Sequence, residues 1–92
     1  MPDQLNNYEI LIVDDEKKIC NIINSLLSVK YSVSIAYTAS EAIELISKNK
    51  FDILITDLKL PDGSGIDILR YAKERDSHIE VIIITGYAAL DS

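Results

Sequence analysis

The sequence contains little of what marks several common classes of protein. Its single cysteine, Cys20, allows no disulfide within the chain and fits an apolar helical pattern as a small buried side chain. Only 9 Lys and Arg residues stand against 15 Asp and Glu residues. The resulting net charge of −6 argues against a surface that neutralises nucleic-acid phosphates, so direct binding of nucleic acid is not expected.

Long apolar segments are also missing. The apolar runs are far shorter than the roughly 20 residues that cross a membrane. Residues 1–8 are polar and lack the apolar core of a signal peptide. We therefore expect a cytoplasmic protein without membrane contact.

What the chain has in quantity is apolar residues, which make up 48% of it, while the charged fraction of 26% is ordinary for a folded protein. It contains no repeats, linkers or low-complexity segments. With 92 residues, the chain is predicted to form one domain, residues 1–92, slightly below the commonest domain size of about 100 to 150 residues.

Four segments have the apolar pattern of β-strands. The first contains a short continuous β-branched run, residues 10–13, of the kind found in strands buried on both faces. The second alternates apolar with small polar residues, as a more exposed strand does, and the third and fourth contain short apolar runs. In chain order, the predicted strands are residues 8–13, 33–37, 51–56 and 81–84.

Between these strands, apolar residues recur at helical spacing. The first helix is predicted over residues 16–29, and the second begins at the capping-box pattern from Thr38 to Glu41. The third is predicted over residues 64–74, with a serine as its cap. Residues 58–65 contain proline and glycine and are predicted to be a loop. Alternating strands and helices with short connections predict a doubly wound parallel sheet in an α/β fold.

The end of the sequence is unusual. Residues 88–92 look like the first turn of a helix, which is too short to be stable alone. Residues 81–84 would then form a flat, uncharged edge strand of the kind that soluble proteins normally cover. We interpret the sequence as cut short and expect self-association through the exposed edge of the fourth strand, or exchange of elements between copies.

Carboxylates follow two of the predicted strands. Asp14 and Asp15 follow the first strand, Asp57 follows the third, and Thr85 follows the fourth. Ligands of doubly wound sheets bind outside the carboxyl ends of the strands. Three converging carboxylates need a cation, and Mg²⁺ suits them because it takes one or two carboxylates and leaves positions for phosphate oxygens. A carboxylate beside such an ion can form an aspartyl-phosphate.

A structural interpretation of the same residues stays open. Asp14 or Asp15 could cap the helix that begins near residue 16, and Asp57 could start a turn. The arrangement of all four residues at successive strand ends favours the site.

Three segments carry a resemblance to a known family, the response-regulator receiver domains of two-component systems, which are CheY-like. They are Ile-Leu-Ile-Val-Asp-Asp-Glu (10–16), Asp-Ile-Leu-Ile-Thr-Asp-Leu-Lys-Leu-Pro-Asp-Gly-Ser-Gly (52–65) and Val-Ile-Ile-Ile-Thr-Gly-Tyr (81–87). The sequence of residues 58–65 and 85–87 is similar to that of receivers that precede NtrC-like transcriptional activators.

The resemblance implies a flavodoxin-like fold with strand order 2-1-3-4, and it implies roles for individual residues. Asp57 would accept a phosphoryl group from a sensor histidine kinase, in a reaction that depends on Mg²⁺. Asp15 would bind the metal directly, Asp14 largely through water, and the backbone carbonyl of Lys59 would complete the protein ligands. Thr85 would hydrogen-bond the phosphoryl group. Such a domain modifies itself and is not a turnover enzyme.

The sequence departs from the family at its end. The family's fifth strand and helix have no counterpart, and no lysine follows Lys73 to pair with the phosphoryl group. The Lys59 side chain is expected to face solvent rather than to substitute. Pro61 and Gly65 match the family's loop around the site.

Two alternatives remain. One is an interaction module that binds metal and self-associates without phosphotransfer. The other is a Mg²⁺-dependent aspartyl phosphatase, which would need Asp-x-Asp after the first strand, where this chain has adjacent Asp14 and Asp15. His78 is interpreted as a surface-loop residue, and Tyr87 either as part of a partner surface or as a packing aromatic.

Overall fold

A computed structural model of the protein describes residues 8–85, in which three helices accompany six strands. In chain order, the elements are β1 (Glu9–Val13), α1 (Lys17–Leu27), β2 (Ser32–Ala36), α2 (Ala39–Lys48), β3 (Ile53–Asp57), β4 (Lys59–Leu60), β5 (Gly63–Ser64), α3 (Gly65–Arg75) and β6 (Glu80–Ile84). The predicted final helical turn and Tyr87 lie outside the described residues.

The main sheet is parallel and has the order β2-β1-β3-β6. Because β6 is the fourth strand of this sheet, the predicted order 2-1-3-4 is confirmed. Val13 lies opposite Thr56 in the pairing of β1 with β3, and Asp57 lies opposite Ile84 in the pairing of β3 with β6. This register brings the carboxyl ends of the three strands to the same level at one edge.

The predicted loop over residues 58–65 contains regular structure. Strands β4 and β5 pair antiparallel, with Lys59 opposite Ser64 and Leu60 opposite Gly63. We call this hairpin the β4–β5 ribbon. The prediction of a plain loop was wrong here because strands of two residues are too short to show any apolar period.

The helices begin where the sequence predicts. Thr38 Oγ1 accepts the N–H of Glu41 at 3.1 Å at the start of α2, and Ser64 Oγ accepts the N–H of Ile66 at 3.0 Å at the start of α3. The Glu41 carboxylate accepts the N–H of Tyr37 at 2.8 Å, one residue before the position usual in a capping box. Both caps fix where the chain leaves the carboxyl edge of the sheet.

The two faces of the sheet are covered unequally. Helices α2 and α3 cover one face over a large buried cluster that includes Leu54, Phe51 and Ile68. Helix α1 covers the other face over a smaller cluster that includes Cys20, whose predicted burial is confirmed by its 0% exposure. None of the three helices in residues 8–85 has the length and apolar character needed to cross a bilayer.

Candidate functional site

Three carboxylates meet at the carboxyl edge of the sheet. Asp14 and Asp15 follow β1, and Asp57 is the last residue of β3. One oxygen of each carboxylate lies within 4.8 Å of the other two. The structure therefore brings together the three acidic residues that the sequence singled out.

Asp14 is the buried member of this cluster, with 4% of its surface exposed. Its Oδ1 accepts the N–H of Glu16 at 2.9 Å, just before α1 begins. Burial raises the pKa of Asp14, the hydrogen bond from Glu16 lowers it, and the charges of Asp57 and Asp15 raise it further. The charged form of Asp14 is thus costly unless a cation lies nearby.

This hydrogen bond partly supports the structural interpretation of the acidic pair. Asp14 does satisfy a backbone N–H at the approach to α1, although the cap position itself is Glu16, whose side chain makes no capping bond. A single bond to one oxygen leaves the other lone pairs of the carboxylate for a ligand. The structural and functional roles of Asp14 are therefore compatible.

The backbone of Asp57 is held closely by its neighbours. Thr56 Oγ1 donates to the Asp57 carbonyl oxygen at 2.9 Å. A Cβ atom at Gly65 would collide with that same carbonyl oxygen and would lie 3.1 Å from Thr56 Cγ2. Gly65 is thus needed for α3 to begin this close to the strand end. Thr56 was treated only as a strand residue in the sequence, because its contact is with the next residue's carbonyl.

Lys59 and Thr85 lie near the cluster along the chain. Lys59 is exposed and is the first residue of the β4–β5 ribbon, two residues after Asp57. Thr85 is exposed and follows β6, in which Ile84 lies opposite Asp57. Their assigned roles toward a metal and a phosphoryl group stay predictions.

The donors of the cluster suit a hard divalent cation. All three are carboxylate oxygens, and the group contains no thiolate or imidazole of the kind that zinc favours. Mg²⁺ is commonly held by one or two carboxylates together with water. The buried charge of Asp14 gives such a cation an energetic reason to bind.

His78 does not belong to this site. Its side chain is 95% exposed and lies 3.7 Å from Asp76 Oδ1, in the connection between α3 and β6. Its interpretation as a surface-loop residue is confirmed. Asp62, which the sequence treated only as part of the loop, proves to contact α2, at the same end of the sheet as the cluster.

The chain is similar to known proteins over almost its whole length. The family model described as the response regulator receiver domain matches residues 10–92. Response regulator protein PilR of Pseudomonas aeruginosa is 37% identical over 89 residues, which are 96% of this chain and 20% of PilR. Sporulation initiation phosphotransferase F of Bacillus subtilis is 36% identical over 86 residues, which are 92% of this chain and 69% of that protein.

A solved structure agrees with these similarities. The CheY-like response regulator receiver domain protein of Methanospirillum hungatei matches with a TM-score of 0.84 and 36% identity, over 91% of this chain and 68% of that chain. The chain spans only about a fifth of PilR but most of the phosphotransferase. The family match, the relatives and the shared fold show that this chain belongs to the response regulator receiver domain family.

Proposed function

We propose that this chain is a phosphoacceptor of a two-component system and that Asp57 takes a phosphoryl group from a sensor histidine kinase. Receiver domains as a family receive phosphate from histidine kinases and bind Mg²⁺ at an acidic pocket. The observation that carries the proposal is the convergence of Asp14, Asp15 and Asp57 at one edge of a receiver fold.

The carboxylates of Asp14, Asp15 and Asp57, together with the backbone carbonyl of Lys59, are the groups that would hold Mg²⁺. When bound, Mg²⁺ would offset the charge of these carboxylates and of the phosphoryl oxygens. The close contacts of Thr56 and Gly65 with the Asp57 carbonyl support the idea that the acceptor is fixed before the donor arrives.

In the transfer, an Asp57 carboxylate oxygen attacks the phosphorus of a phosphohistidine. An O–P bond forms, the P–N bond breaks, and the electron pair leaves with the imidazole nitrogen. The Thr85 hydroxyl donates a hydrogen bond to a phosphoryl oxygen. Water later attacks the phosphorus, releases inorganic phosphate and regenerates the carboxylate. The chain modifies itself and turns over no separate substrate.

Intact-mass spectrometry tests this proposal. The parent protein, Asp57→Asn and Asp52→Asn are incubated with acetyl phosphate and Mg²⁺, and the parent also with a chelator. Asp52 lies next to the opposite end of β3, so its substitution is chemically matched but distant from the cluster. We expect one phosphoryl adduct on the parent and on Asp52→Asn, and none on Asp57→Asn or with the chelator. An adduct on Asp57→Asn equal to that of the parent would refute the assignment.

The regulatory context is also a proposal. We infer one receiver domain over residues 1–92, located in the cytoplasm, whose phosphorylation controls transcription. The part of this inference that concerns transcription rests on the name of a relative, transcriptional regulatory protein ZraR of Escherichia coli, which is 31% identical over 88 residues; the chain covers 20% of it. The phosphoryl group would carry a charge of roughly −1.5 to −2 in place of the single negative charge of the Asp57 carboxylate, and this change would bias a two-state surface around β6.

A second candidate function, self-association, is favoured by the outer edge of β6. Glu80 donates its N–H to Asp52 and Ile84 accepts from Leu58, so alternate residues of β6 bond to β3 or its flanks. The backbone groups of Val81 and Ile83 therefore point away from β3, and no strand in residues 8–85 covers them. Such an uncovered edge can pair with a second copy.

Light scattering over a range of concentrations tests this candidate. Ile82 is 53% exposed on β6 and Ile22 is 52% exposed on α1, which makes Ile82→Lys and Ile22→Lys a matched pair. We expect the parent and Ile22→Lys to self-associate and Ile82→Lys to be monomeric. A strictly monomeric parent would remove this candidate. Turnover of a phosphomonoester by the parent would instead favour the aspartyl phosphatase alternative.

A further inference from the structure

We propose that Asp62 is a positioning residue, which fastens the β4–β5 ribbon to the first turn of α2 and thereby holds the backbone of Asp57 in place. The part of this inference that concerns phosphoryl transfer rests on the proposed function of Asp57. The fastening itself does not, because it concerns contacts within the unmodified protein.

The first observation is a pair of hydrogen bonds between segments far apart in the sequence. Asp62 Oδ1 accepts the N–H of Ala39 at 2.7 Å, and Asp62 Oδ2 accepts the N–H of Ser40 at 3.0 Å. The first N–H groups of a helix have no partner within the helix. The local cap, Thr38, satisfies only the N–H of Glu41. Asp62 therefore supplies the partners that the local sequence does not.

The second observation is a close approach of the ribbon to the same turn of α2. A Cβ atom added at Gly63 would lie 3.3 Å from the Cβ of Ala39, tighter than most real contacts of this kind. Leu60, which lies opposite Gly63 in the ribbon, packs against the buried cluster under α2 and α3. The tip of the ribbon is thus seated against α2 by packing as well as by the carboxylate of Asp62.

The base of the ribbon is joined to the acceptor strand. The N–H of Gly65 donates to the Leu58 carbonyl at 2.8 Å, and the N–H of Leu58 donates to the Ile84 carbonyl at 3.2 Å. Gly65 also lies directly against the Asp57 carbonyl. A continuous set of contacts therefore runs from the Asp57 backbone through the ribbon to the start of α2.

These contacts give Asp62 a definite physical role. Its carboxylate is held by two N–H donors, and the hydrogen bonds from Ala39 and Ser40 lower the pKa of Asp62. Without the carboxylate, the ribbon tip keeps only its packing contacts with α2. Small displacements of reacting groups slow reactions strongly, so a loosened ribbon should slow transfer to Asp57.

The test uses the whole chain as Asp62→Ala and Asp62→Asn, with Asp67→Asn as the control. Asp67 is an exposed carboxylate in the first turn of α3 and lies beside Gly63 of the ribbon, so the control removes a nearby charge but keeps the two hydrogen bonds of Asp62 to α2. Amide NMR follows Ala39 and Ser40 with pH, and hydrogen exchange follows them in each variant. Intact mass follows the rate of phosphorylation by acetyl phosphate with Mg²⁺.

In the parent and in Asp67→Asn, the amide shifts of Ala39 and Ser40 should titrate together, with a midpoint below the ordinary range of aspartate. This shared titration should be absent in Asp62→Asn. In Asp62→Ala, both amides should exchange about tenfold faster or more, because a hydrogen bond that protects them is lost. Phosphorylation of Asp62→Ala should be about fivefold slower or more, and that of Asp67→Asn unchanged.

Two results would overturn the proposal. Exchange at Ala39 and Ser40 that stays parental in Asp62→Ala would show that no fastening exists. Faster exchange there, with parental phosphorylation and parental exchange at Leu58 and Gly65, would show that the fastening does not reach Asp57.

A parent that takes no phosphoryl group refutes the proposed function instead. The proposal about Asp62 is then decided by whether amide exchange at Leu58 and Gly65 becomes faster in Asp62→Ala. Should Asp62→Ala not fold, Asp62→Asn decides the proposal: the loss of the shared titration tests the fastening, and exchange at Leu58 and Gly65 tests whether it reaches Asp57.

Discussion

An aspartate lies at each end of strand β3, and the two have different surroundings. Asp52 precedes the strand, and its carboxylate accepts the N–H of Glu9 at 2.8 Å. Its backbone also donates to Glu9 and accepts from Glu80. Asp57 ends the strand, and its carboxylate faces the carboxylates of Asp14 and Asp15. One end of β3 joins its polar groups to neighbouring strands, and the other brings like charges together.

The same difference extends along both edges of the sheet. At the amino edge, where the parallel strands begin, Lys73 donates to the carbonyl of Ile79, and Arg75 donates to the carbonyl of Ser47 at 3.2 Å. A cleft of about 420 Å³ opens there between the ends of α2 and α3, far along β3 from the acidic cluster. Polar groups at the amino edge stabilise the fold, whereas the acidic cluster at the carboxyl edge stores an unfavourable charge that a ligand can relieve.

Truncating the apolar side chain beside Asp52 should have the largest effect on stability. Phe51 is 4% exposed and belongs to the larger buried cluster. Phe51→Ala should lower the free energy of unfolding by about 3 to 5 kcal/mol, because it removes buried contacts and leaves a cavity. Urea denaturation followed by circular dichroism measures this. Phe51→Leu is the control, and a loss below about 1 kcal/mol in Phe51→Ala would contradict the assigned core.

At the carboxyl edge, neutralising a charge should stabilise the protein. Asp14→Asn keeps an oxygen for the N–H of Glu16 but removes the buried charge. Without metal at neutral pH, its free energy of unfolding should exceed that of the parent by about 1 kcal/mol. Excess Mg²⁺ should make the parent more stable than Asp14→Asn, since only the parent retains the full set of carboxylates that bind the ion.

The pH dependence of this difference has a definite sign. The pKa of Asp14 is raised in the folded state, so the folded protein binds the proton more tightly than the unfolded chain does. The stability of the metal-free parent should therefore decrease as the pH rises from the ordinary aspartate value through the raised pKa. At pH values below the ordinary pKa of aspartate, Asp14→Asn should be no more stable than the parent. Denaturation series at several pH values measure this difference, and an advantage of Asp14→Asn that grows toward acid pH would contradict a raised pKa of Asp14.

Removing the carboxylate at the opposite end of β3 should be mildly destabilising. Asp52→Ala loses the hydrogen bond from Glu9, which is worth about 1 kcal/mol or less at a partly exposed position. Its phosphorylation by acetyl phosphate should match that of the parent. A gain in stability, as expected for Asp14→Asn, would mean that the two edges do not differ in the way described.

The smallest effect is expected on the outer surface of α2. Lys48 and Glu44 form an ion pair at 3.1 Å, with both side chains 67% exposed. Lys48→Gln should change the free energy of unfolding by no more than about 0.5 kcal/mol, because water and salt screen an exposed pair. Repeating the urea denaturation at high salt should remove even this difference. A larger, salt-independent loss would indicate a packing role for Lys48.

The sequence was sufficient to predict the regular framework. Four strands and three helix starts follow from the apolar period and from caps such as Thr38 and Ser64, which are local signals. The alternation of strands and helices predicts a parallel sheet, whereas the strand order was implied by the family resemblance. The predicted end of α1, at residue 29, was too late because the helix ends at Leu27. The backbone N–H groups of Lys30 and Tyr31 both donate to the carbonyl of Leu27, which forms a turn there. The apolar side chain of Val29 favours a longer helix, but this residue is 80% exposed.

The candidate site could be predicted only in part. The positions of Asp14, Asp15 and Asp57 after the strands of a parallel sheet were enough to predict that they lie together. The sequence did not predict that Asp14 is buried while Asp15 is exposed. The bonds of Asp62 to α2 join residues more than twenty positions apart and depend on the pairing of the ribbon, so no local pattern reveals them.

Reduction of the phosphorylated chain with borohydride would identify the residue that carries the phosphoryl group. Borohydride converts an aspartyl acyl phosphate to homoserine, which tandem mass spectrometry locates in the sequence. After treatment with acetyl phosphate and Mg²⁺, we expect homoserine at position 57 and at neither 14 nor 15. Homoserine at position 14 or 15, or its absence from a folded protein with Mg²⁺ bound, would contradict the claim that Asp57 is the phosphoryl acceptor.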